Sequence, residues 1–173
     1  MGGLLSNLFT KKWTLQDIMN VDYTRHQKSS GCSVVLDETF VELKTESIID
    51  KFKRFFIRNK SVMNVLFVIF KFTVISETGH SYSVYIRTQY DPDARLYMQN
   101  SVQIYCGCAD FKFKSAWVLG QHSALFRSDR TELELGPAIT NSPKRKSSTT
   151  LCKHSYAAVN YFISNYRSLM SYV

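Results

Sequence analysis

"SVMNVLFVIFKFTVIS", residues 61–76, decides the fold class of this chain. Val, Ile, Phe and Thr crowd it, the residue types that suit a pleated, half-buried surface. Its longest unbroken apolar run, "VLFVIF" at 65–70, is six residues, against the roughly 20 a membrane-spanning helix needs. The stretch therefore reads as a strand. "ETGH" then supplies a turn, and "SYSVYIRTQY", 81–90, alternates with Tyr82, Val84 and Ile86 on one face. "YDPDAR" breaks the chain, and "LYMQNSVQIY" brings a further strand. The expectation is a three-stranded antiparallel meander over 62–76, 80–90 and 96–106, one face covered by helices: an α+β fold.

Working outward, "SVVLDETFVEL", 33–43, reads as one or two strands. "ESIIDKFKRFFIRNK", 46–60, has Ile48, Ile49, Phe52, Phe55 and Phe56 at helical spacing, with Lys51, Lys53, Arg54 and Arg58 on other faces. That pattern predicts an amphipathic helix with a basic, solvated face. A helix laid along phosphates is the sharper alternative. "ADFKFKSAWVL" after Cys108 predicts a helix with Phe113, Ala116 and Trp117 as one face. Residues 127–150 read as a long polar loop with the basic tip Lys144-Arg145-Lys146. "HSYAAVNYFISNYRSLM" makes a closing helix whose stripe is Tyr156, Val159, Phe162, Ile163, Tyr166 and Leu169.

The first 30 residues read as an N-terminal arm, and 31–173 as a single domain without internal repeats. "TLQDIMN", 14–20, can be a short helix with Thr14 as N-cap and Asp17 closing a capping box. Leu4, Leu5, Leu8, Phe9 and Trp13 are too few to form a separate core, so the arm is expected to order against a partner. The start "MGGLLSNLFTKKW" is charged too early for a secretory signal, and Gly2 with Ser6 only partly fits an acylation motif.

Apolar residues make up 45% of the 173, enough for one globular domain with a real core. The net charge of +8 raises the odds of an anionic partner without choosing among nucleic acid, acidic protein and membrane. There is no Gly-rich phosphate loop, no catalytic metal motif and no plausible carboxylate pair, so an enzyme is not expected.

Three of the four cysteines and one histidine form two matched pairs. Cys106 and Cys108 flank Gly107 at a strand end, where positive φ at the glycine would let the chain curl round an ion. Cys152 and His154 cannot face each other on a helix. Cys152 is therefore expected just before the last helix and His154 in its first turn, where the helix dipole favours thiolate. Three thiolates and an imidazole suit one tetrahedral zinc in a closed, structural site. Closing the loop from Cys108 to Cys152 costs on the order of 3 kcal/mol. A structural zinc supplies about 10 kcal/mol or more at neutral pH. The competing readings are unpaired free thiols, disulfides that leave His154 unexplained, and a Cys152–His154 dyad that lacks an orienting group. Cys32, His26, His80 and His122 read as ordinary surface or core residues.

Cys106-x-Cys108 with Cys152-x-His154 resembles the SWIM-type zinc finger, C-x-C…C-x-H. The resemblance implies that Cys106, Cys108, Cys152 and His154 bind one zinc. The order "VQIYCGCADFKFK", "AITNSPKRK", "LCKHSYAAV" also resembles virion structural proteins of large tailed phages, over roughly residues 62–165. That likeness implies a zinc-binding building block of a phage neck, tail or baseplate, made in the bacterial host cytoplasm and present in several copies. It would contact other virion proteins through its arm, with no membrane partner and only weak, nonspecific contact with nucleic acid. SWIM-like modules also bind DNA, so a nucleic-acid-binding module is the alternative.

Overall fold

A computed structural model describes residues 12–22, 31–49, 62–91, 97–136 and 150–173. Four strands form one antiparallel sheet in chain order: β1 (Ser33–Ile49), β2 (Val62–Ile75), β3 (Ser81–Gln89) and β4 (Val102–Cys106). The expected meander is present, and β1 adds a fourth strand at its edge. Helices α1 (Leu15–Asp22), α2 (Ala116–Gln121), α3 (Asp129–Leu135), α4 (Lys153–Ser164) and α5 (Tyr166–Met170) complete the α+β domain.

Strand register sorts the side chains. Leu36, Phe72, Val84 and Cys106 form one cross-strand row; Val41, Phe70, Ile86 and Ile104 form the next. Directly opposed residues share a face, so both rows look the same way. Phe70, Phe72, Val84, Ile86 and Ile104 are completely buried there. Helix α4 covers this face, with Phe162 5.7 Å from Phe70 and Tyr161 5.9 Å from Phe72, ring to ring. The opposite face has its own aromatic layer: Tyr85 stacks on Phe126, and Tyr105 meets Phe111 edge-on. The Tyr105 hydroxyl donates to Glu134 on α3. Helical structure therefore covers part of both faces, where one covered face was expected.

The predicted helix over 46–60 is corrected where it can be seen. Thr45–Ile49 instead continues β1 and pairs with Val62–Leu66. The 14-residue β2 needs backbone partners along its whole length, and this need overrides an apolar spacing that also fits a helix. Residues 50–60 lie outside the described residues. A register shift between Leu36 and Val41 lets the two parts of β1 keep apolar residues on the covered face.

Residues 12–22 are not a detached arm. Thr14 and Asp17 form the expected capping box, with Thr14 N–H and Asp17 Oδ2 3.0 Å apart and the reciprocal bond at 3.1 Å. Leu15 and Ile18 are buried in the main core, and Trp13 stacks on His122 at 3.8 Å. Residues 1–11 and 23–30, with the other apolar arm residues and His26, lie outside the described residues.

The helical run after Cys108 begins at Ala109, passes through a π-turn at Phe111–Ser115 and continues as α2. Its buried face is Phe111, Ser115, Ala116 and Leu119; Phe113 is exposed, against expectation. The wider π-turn shifts the angular position of each later side chain, which a constant helical period does not foresee. Part of the expected loop is also helical. Ser128 caps α3 in a capping box with Thr131, and Asp129 and Glu132 lie in its first turn. The tip at 144–146 lies outside the described residues. In the closing segment the chain kinks at Asn165 between α4 and α5; Val159, Phe162, Tyr166 and Leu169 are buried, while Tyr156 and Ile163 are half-buried. Among the described residues no helix is long and apolar enough to cross a membrane.

Candidate metal centre

Cys106 ends β4 on the face that α4 covers, directly across from Val84. The next residue keeps the sheet going: Gly107 N–H donates to Ser83 O at 3.0 Å. Positive φ is not used at Gly107, contrary to expectation. A Cβ there would meet its nearest atom at 3.7 Å, an ordinary contact, so the turn does not require glycine. The chain reverses one residue later, because Cys108 opens the helical run. The Phe111 N–H donates to Cys108 Sγ at 3.3 Å, and Lys112 N–H donates to the Cys108 carbonyl.

Cys152 plays the same part for α4. It is the N-cap, in extended backbone, and its Sγ accepts from Ser155 N–H at 3.4 Å. Ser155 Oγ lies 3.3 Å from that sulfur and donates to the Cys152 carbonyl. His154 stands in the first turn, as the spacing predicts. Two helix starts thus converge on one point, each with a cysteine sulfur taking a terminal amide. Terminal amides and the positive helix end both favour thiolate.

The ligand atoms of Cys106, Cys108, Cys152 and His154 all lie within 4.8 Å of one another, and all four residues are buried. Neither ring nitrogen of His154 has a hydrogen-bond partner among the described residues. A buried imidazole with no partner costs free energy that a bound ion would recover. Tyr82 packs on that ring at 4.2 Å between centroids, holding its plane. The Cys106 and Cys108 thiols are shifted in opposite directions. Hydrogen bonds from the Cys106 and Cys152 thiols pull Cys108 down to about 3, with help from the Phe111 amide. Donating to Cys108 and Cys152, together with burial, pushes Cys106 well above the usual cysteine value. Sulfurs that already compete for one negative charge and an imidazole with both nitrogens open make a donor set that fits a metal ion.

All four residues singled out in the sequence come together here. Cys32 does not join them. It is partly buried, and burial pushes its thiol up, an effect that the Lys153 charge opposes and the Glu77 charge reinforces. His80 sits in the turn before β3, and His122 stacks on Trp13, where burial pushes its imidazole down. Sequence reading missed Ser155 and Tyr82. Ser155 was legible as the third residue of a helix capped by Cys152. Tyr82 was legible only as one more residue on the covered face of β3.

Compared with known proteins, the chain matches no family model, no curated protein and no solved structure.

Proposed function

We propose that this protein is a zinc-stapled structural component that works through protein–protein contacts and performs no catalysis. The observation that carries the reading is the closed, buried set of Cys106, Cys108, Cys152 and His154. Three sulfurs and one imidazole favour zinc over harder cations. With four protein ligands no position is left for a water or a substrate, so the ion's role is structural. It joins the turn between β4 and the 109–121 run to the start of α4, two segments far apart in sequence.

The order of motifs around the cysteines supports a finer proposal: a building block of a tailed-phage particle, in its neck, tail or baseplate, held by its neighbours through residues of the N-terminal arm. Purified particles carrying this protein test it. Mass spectrometry of disassembled particles is expected to find it at a fixed, multi-copy stoichiometry that survives nuclease and high salt. Loss of the protein on nuclease treatment would favour a nucleic-acid-binding module instead. Its absence from particles would end the virion reading.

A further inference from the structure

Tyr105 ties two helical segments to the sheet face opposite α4. Phe111 of the 109–121 run meets its ring edge-on, and Glu134 of α3 accepts its hydroxyl. Each segment turns one side to the sheet: Phe111 and Ser115 are buried on the first, Thr131 and Leu135 on the second. Phe113 is two residues from both Phe111 and Ser115, and Leu133 two residues from both Thr131 and Leu135. Residues so spaced do not share a helix face, so Phe113 and Leu133 point away from the body. They are the two most exposed large apolar side chains among the described residues, at 67% and 85% of full exposure. A cavity of about 430 Å³ lies between the segments, with Lys112 and Phe113 on one wall and Glu134 and Leu135 on the other. Apolar side chains scattered singly need no explanation, but two on the rim of one cavity mark an interaction surface.

The charges on the two segments say what covers it. Asp110 pairs with Lys114 within the first segment, and Arg130 with Glu134 within α3. Once these pairs are set aside, Lys112 remains on the first segment and Asp129 and Glu132 on α3. Among the described residues none of these three is in an ion pair. Lys112 reaches only over the neighbouring Phe113 ring, at 6.0 Å. The first segment is therefore basic with an exposed Phe, and the second acidic with an exposed Leu. An acidic or a basic partner would match one half of this surface and repel the other. A second copy, turned by a two-fold rotation, matches both halves at once.

We propose that this face pairs two copies of the chain about a two-fold axis, with Phe113 of each seated in the other's cavity beside Leu133, and Lys112 of each against Glu132 of the other. The cavity has room for the ring, since about 150 Å³ is enough to take benzene. Each contact of such a pair occurs twice, so every favourable contact counts double. The patch is small for a stable dimer, so the pairing is weak and reversible in free solution. Within an assembly that holds several copies, the same contact gains from a raised effective concentration. The inference stands independently of the virion reading. The metal enters only because the 109–121 run starts at Cys108.

The test is sedimentation equilibrium of the full, metal-loaded chain over a concentration series, with metal content measured separately. A reversible monomer–dimer equilibrium is expected. Phe113→Ser and Leu133→Ser should each weaken it about tenfold or more, as the loss of a central apolar anchor does. Both should leave the metal and the melting temperature unchanged, because both side chains face solvent in the single chain. Lys112→Glu should also weaken the dimer. Adding Glu132→Lys to it should restore the dimer, a rescue that a merely structural role for either residue does not give. Deleting residues 2–11 should leave the equilibrium as it is. The proposal is overturned if the natural chain stays monomeric throughout, or if it dimerises equally well with Phe113→Ser and Leu133→Ser. It is also overturned if the double charge swap recovers nothing that the single reversal lost, or if the dimer disappears with residues 2–11, which would assign the contact to the arm.

Discussion

The two ends of the sheet are held by different means. At one end, Cys106, Cys108, Cys152 and His154 bring two distant segments to a single buried point. At the other, Thr45–Ile49 and Val62–Leu66 pair along a backbone ladder between strands consecutive in the chain. Among the described residues the long-range ties at this far end include Tyr90 N–H to Leu66 O, Val102 N–H to Trp13 O, the Tyr166 hydroxyl to Asp91 O, and the Tyr97–Tyr166 ring stack. Each of these is worth about 1 kcal/mol. The difference follows from loop closure. Adjacent strands meet at small entropic cost, whereas the start of α4 must be brought back across a long stretch of chain.

The strongest way to break the comparison is to remove a ligand. Cys152→Ser should abolish stoichiometric metal and cost roughly 5 kcal/mol or more, since a structural zinc supplies about 10 kcal/mol and a whole domain is stable by about 5–15. Metal analysis and a thermal melt check it. In the natural protein, a chelator should speed amide exchange in α4 and residues 109–121 before it affects the β1–β2 ladder. Uniform acceleration would erase the distinction between the ends.

Packing between the ends comes next. Phe162→Ala removes a fully buried ring that touches Phe70 and Tyr166, and should cost about 3–5 kcal/mol in a denaturant melt while leaving the metal bound. Zinc loss in this variant would mean that the packing of α4, rather than the ligands, positions the site.

The far end can be tested by pH. Burial and the nearby Asp91 charge push Tyr166 up to about 12. The folded state thus prefers the neutral phenol more than the unfolded chain does, whose tyrosine titrates near 10. This contribution is complete below pH ~10 and fades as pH rises toward ~12. Tyr166→Phe should flatten that alkaline decline. An unchanged decline would move its origin to Tyr105, whose phenol is also raised by burial and by Glu134. The smallest effect belongs to Cys32→Ser, which should keep full metal and change stability by no more than about 0.5 kcal/mol.

The legible parts of the sequence were those where local pattern and long-range need agree. Residues 62–106 alternate and break as strands and turns do, and their meander is present. Cys152 and His154 could be assigned to a helix start because i and i+2 do not share a helix face. Residues 46–49 misled because Ile48 and Ile49 satisfy a helical period and a strand equally, and only β2's need for a partner separates the two. Phe113 misled because a π-turn intervened. The role given to Gly107 failed because the reversal comes at Cys108, where a helix start turns the chain without help from glycine.

The most direct test of the central claim is X-ray absorption at the zinc edge on the purified natural chain, with metal counted per chain. The account predicts one zinc in a shell of three sulfurs near ~2.3 Å and one nitrogen near ~2.0 Å, with no oxygen. A shell containing oxygen, a different sulfur count, or a folded chain with no metal would contradict it.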